Sequence, residues 1–181
     1  MYRLVALVSI VLAISAWPAL AQKNPDFMTE RDCLVLAVEG KAALSRVTNE
    51  KLLGRDHVRP GQSRTTRSRF PTSGSHHRVP IEPGFYQNQQ SAIQLVHALE
   101  HGHIVIYYDK PGDAVLKTFR RWTRLYSGDW DGVVVTPMSG LGRKIVLTAW
   151  GKRLDQVLLD MPAAATFIDA FRGRGPEISV R

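Results

Sequence analysis

Apolar residues are distributed along the chain in three ways. The first is a nearly continuous apolar run at residues 4–15, preceded by Arg3 and followed by Ala19-Leu20-Ala21 before Gln22. That is the layout of a cleaved export signal, and the run is shorter than an ordinary membrane span. It predicts cleavage near Ala21, a periplasmic or secreted product and no retained membrane span. The second is a set of short apolar runs bounded by turn residues, at 103–108, 132–136 and 144–150. Their β-branched and aromatic residues predict strands. The third is helical spacing. Leu34, Val38, Ala42 and Leu52 share one face of a helix over 31–53, with Gly40 as a possible interruption and Gly54 as its end. Further helices are predicted over 91–101, 114–126, 154–159 and 163–172. An edge strand at 63–69 would be kept soluble by its arginines.

If the strands at 103–108 and 132–136 are parallel neighbours, the helix between them makes a right-handed crossover. The strand at 144–150 can pair antiparallel with its predecessor. These expectations describe a single compact α+β domain, a small mixed β-sheet packed by helices. The organisation reads as a signal at 1–21, an N-terminal helical segment at 22–52 and the α+β domain at 53–178. About 160 residues beyond the signal suffice for one sizeable core.

Charge changes the picture little. The net charge of +8 becomes +7 once Arg3 is removed with the signal. Lys51, Arg55, Arg59, Arg64, Arg67 and Arg69 crowd residues 51–70 against Asp56 alone. Only Phe70 is there to stack on a base, and export separates the chain from nucleic acid, so no nucleic-acid partner is expected. With Cys33 as the one cysteine, the chain has no internal disulfide framework. Its setting in an apolar run marks it as a buried small hydrophobe.

The histidines change it more. All six lie between His57 and His103. At their centre is His97-Ala-Leu-Glu-His101, which sets two imidazoles one helical turn apart with Glu100 beside them. Leu95, Leu99, Ala92 and Val96 form a separate, core-facing stripe, and Gly102 suits the left-handed position that ends a helix. Imidazoles at i and i+4 clamp a zinc ion well. His76, in the Pro/Gly-rich loop at 71–76, is the first choice for a third ligand and His57 the next. His77 and His103 are weaker candidates. Soft ligands are scarce beyond Cys33 and Met138, which favours zinc or copper(II) over copper(I). Glu100 is the candidate general base, since in zinc hydrolases with the H-x-x-E-H pattern the glutamate activates metal-bound water. No further acidic ligand is evident from the sequence. The alternative role for Glu100 is to hydrogen-bond a ligand imidazole.

The motifs PTSGSH, GFY, VHALEHGHIVIYY, LTAWG and a closing RGPE, with His57-Val58 upstream, resemble the bacterial family called domain of unknown function 3105. The likeness spans residues 53–177, with Phe70 in place of the family's first proline and Ser75 and His77 varying its loop. It implies no activity. It does imply that His57, His76, Tyr86, His97, Glu100 and His101 form one constellation, with Tyr86 behind the ligands. Three functions compete on the sequence: an exported metal-binding protein of the cell envelope, a metal-dependent hydrolase using Glu100, and a non-catalytic interaction module with structural histidines.

Overall fold

The computed structural model describes residues 28–58 and 68–181. The expected signal at 1–21 and most of the expected edge strand at 63–69 lie outside the described residues. In chain order the elements are helix α1 (Glu30–Glu39), a 3-10 helix (Lys41–Arg46), strand β1 (Thr48–Asn49), strand β2 (Gly84–Phe85) and helix α2 (Ala92–Glu100). Then come strand β3 (Ile104–Tyr108), helix α3 (Asp113–Leu125), strands β4 (Val133–Pro137), β5 (Ile145–Ala149) and β6 (Lys152–Gln156), and helix α4 (Met161–Phe171).

One mixed sheet runs in the order β1-β6-β5-β3-β4-β2, so the fold is α+β as expected. β3 and β4 are parallel, joined through α3, while β3–β5, β5–β6 and β1–β6 are antiparallel. Both faces of the central strands are covered, which is why β3 reads as an unbroken apolar run. Ile104, Ile106 and Tyr108 join the core that Phe119, Trp122 and Phe167 supply from α3 and α4. Val105 and Tyr107 point the other way, into the core that Leu95, Ala98 and Leu99 supply from α2. Trp122 is fully buried, and a side chain of that size contributes roughly 3 kcal/mol by leaving water.

Three expectations are corrected. The first helix stops at Gly40, and residues beyond it form the 3-10 helix and β1 instead. Gly40 lies where α1 crosses α4, and a Cβ there would overlap the Pro162 carbonyl and the Thr166 hydroxyl. The second correction concerns β5, which pairs with β3 rather than with its predecessor β4. Asp109, at the end of β3, accepts the backbone N–H groups of Gly140 (3.1 Å) and Gly142 (3.0 Å). That bond pair draws the loop after β4 across the end of β3 and delivers β5 to its far side. Thirdly, residues 152–156 form β6, not a helix, because Gly151 (φ +67°) turns β5 directly into a hairpin.

Candidate metal centre

α2 presents the centre. Ser91 is its N-cap in extended conformation, and Gly102 at φ +95° ends it in the left-handed region that glycine tolerates. Leu95, Val96, Ala98 and Leu99 anchor the helix in the core, and His97 and Glu100 are also buried.

A second layer closes over that face. The backbone around His57 runs parallel to that around His76: Gly74 N donates to Gly54 O (2.9 Å), His76 N to Asp56 O (3.0 Å) and Val58 N to His76 O (2.8 Å). Gly74, at φ +116°, makes the turn that brings its carbonyl to His76 Nδ1 at 2.9 Å. His77 N donates to Ile93 O (3.1 Å), and the His77 carbonyl accepts from His97 Nδ1 (2.6 Å). The loop is therefore stitched to α2 from both sides.

The rings converge. His57 and His76 lie 4.8 Å apart by centroid, His57 and His97 5.1 Å, and His76 and His97 4.9 Å. Glu100 Oε2 lies 2.9 Å from His76 Nε2. One ligand atom from each of His57, His76, His97 and Glu100 can be chosen so that all lie within 4.8 Å of one another. Four tetrahedral zinc ligands at 2.0–2.1 Å stand roughly 3.4 Å apart, so side-chain rotations that draw the set together by up to about 1.4 Å close it around an ion.

The donor atoms suit a metal. A carbonyl only accepts, so His76 and His97 each place a hydrogen on Nδ1, which leaves Nε2 as the nitrogen that can face a metal. This is the tethering found in metal-binding histidines, where the other nitrogen is held by a backbone carbonyl. His76 is wholly buried and its Nε2 has no hydrogen-bond partner. The nearby Glu100 oxygen is close enough to share a cation with it. Burial pushes the His97 pKa down to about 4, the neighbouring imidazoles of His101, His76 and His57 add to this, and the His77 carbonyl opposes it. His97 is thus neutral at neutral pH and free to ligate.

His101 is placed differently. Its ring is 4.7 Å from that of His97, but its Nε2 lies 3.2 Å from Glu177 Oε2, and it stacks on Trp130 at 4.1 Å. His97, His101 and Glu177 make a second group of ligand atoms within 4.8 Å. The Tyr86 hydroxyl donates to the Glu82 carbonyl (2.8 Å). His103 bonds the Asp129 carbonyl (2.8 Å), and burial pushes its pKa down to about 4. Cys33 lies in the core of the sheet's other face, where burial pushes its thiol up. Glu177 and Trp130 were not singled out from the sequence; the trace of Glu177 was its place in the closing RGPE motif.

A mixed-sheet domain with a buried histidine–glutamate cluster is the class that fold and geometry define. The chain belongs to the family described as protein of unknown function (DUF3105), whose sequence model matches residues 57–181. That match begins at His57 and ends beyond Glu177, so it takes in both groups. No curated protein and no solved structure matches the chain.

Proposed function

We propose that this protein is a metal-binding protein of the cell envelope, holding a divalent ion, zinc or copper(II), between His57, His76, His97 and Glu100. The observation that carries the reading is the pair of buried imidazoles tethered through Nδ1 to the Gly74 and His77 carbonyls, with the Nε2 of His76 beside Glu100 and without a hydrogen-bond partner. Three nitrogens and one carboxylate oxygen are a borderline donor set that suits these ions. Export rests on the apolar run at 4–15 and the Ala19-Leu20-Ala21 pattern. Among the described residues no helix is long and apolar enough to cross a membrane. Elemental analysis of the purified chain tests the reading: about one ion per chain is expected, with near-zero content in His76→Ala/His97→Ala. Equal, near-zero content in both overturns it.

A second reading, a metal-dependent hydrolase, is supported by a cavity of about 320 Å³ with His101 in its wall. In that case His97, His101 and Glu177 hold the ion and Glu100 acts as general base.

A further inference from the structure

The two groups of ligand atoms share His97. Its Nδ1 is committed to the His77 carbonyl at 2.6 Å, so only Nε2 remains. One nitrogen lone pair serves one ion, and the two groups are therefore alternative positions for it. They differ in depth. His76 and Glu100, in the inner group, have side chains 0% and 6% exposed, while His101 and Glu177, in the outer group, are 16% and 44% exposed.

Glu177 is held in place by backbone. Gly173 N donates to Gly102 O (2.8 Å), Glu177 N approaches Glu100 O (3.4 Å), and Arg55 bonds the Pro176 carbonyl (3.3 Å). A Cβ at Gly175 would overlap the Glu100 carbonyl, so the tail lies directly on the end of α2. His101 also walls the cavity of about 320 Å³, whose lining includes Glu82, Asp129 and Trp130. Among the described residues Glu82 and Asp129 form no salt bridge. The cavity thus gathers negative charge in a chain of net charge +8.

We infer that His101 and Glu177 form an outer capture position, which takes a divalent cation from the carboxylate-lined cavity and passes it through His97 to the inner group. This rests on the metal-binding reading and adds a route to it. A half-exposed carboxylate suits capture of a hydrated ion, and a set with one more nitrogen, mostly buried, suits its retention. His57, the exposed member of the inner group, is the competing route.

Stopped-flow mixing of the full chain with zinc ions against a chromophoric chelator tests the inference. Glu177→Gln is expected to slow uptake about tenfold or more, as loss of a steering charge does, and to slow release equally, so the dissociation constant stays unchanged. Asp129→Asn/Glu82→Gln is expected to slow uptake in the same sense. An unchanged uptake rate in Glu177→Gln overturns the inference and sends the ion past His57. So does a loss of affinity as large as that of His76→Ala, which makes Glu177 a resident ligand. Failure of the underlying reading looks different: the unsubstituted chain then takes up no zinc.

Discussion

His97 donates its Nδ1 hydrogen to the carbonyl of His77, residues twenty positions apart in sequence and 2.6 Å apart in space. The bond chooses the tautomer of His97, aims its free nitrogen and fastens the 71–77 loop to α2. Consequences for binding and stability follow from it and from the contacts around it.

Glu100→Gln separates two roles for this carboxylate. The amide matches the side chain in shape but loses its charge beside His76. If Glu100 ligates the ion, as proposed, zinc affinity falls by about 10–100-fold or more, measured by chelator competition. Retained affinity with loss of a hydrolytic activity would favour the base role.

Stability of the metal-free chain depends on pH through His97 and His103. Both have native pKa values near 4 against an ordinary value of 6.5. The native state therefore resists protons that the unfolded chain accepts between those limits. Stability is full above about pH 6.5, declines as pH falls towards 4 and stops declining below it. Each group contributes on the order of 1–3 kcal/mol to that loss. Urea midpoints measured across this range are expected to fall, and to fall less steeply in His103→Gln.

Gly40→Ala is expected to destabilise by roughly 1–3 kcal/mol, read as a lower urea midpoint. The added methyl meets backbone at Pro162, which has no rotamer to yield. An unchanged midpoint would show that α1 and α4 separate at this crossing without cost.

Asp109→Ala removes the acceptor of two backbone N–H groups at the loop between β4 and β5. A loss of about 1–3 kcal/mol is expected. Hydrogen exchange at Gly140 and Gly142 should accelerate while the centre of β3 stays protected, which distinguishes a loosened loop from a destabilised sheet.

Much of this was legible in the sequence where the physics is local. Helical geometry alone sets His97, Glu100 and His101 on neighbouring faces of α2, and Gly102 marks its end. Burial on both faces made β3, β4 and β5 readable as apolar runs. β6 was not readable, because Lys152, Arg153 and Asp155 alternate with only two buried positions and leave a weak strand pattern. Gly40 showed as an interruption, but the helix break needed α4 on the other side of it.

The spacing of residues within a segment determined the candidate ligands and the likeness to a family. Tertiary structure decided their grouping: His57, His76, His97 and Glu100 in one set, His101 turned towards Glu177 in another. Local spacing follows from backbone dihedrals that each segment carries with it. Convergence of residues 57, 76, 97 and 177 depends on how loops close over α2, and no periodicity along the chain encodes that.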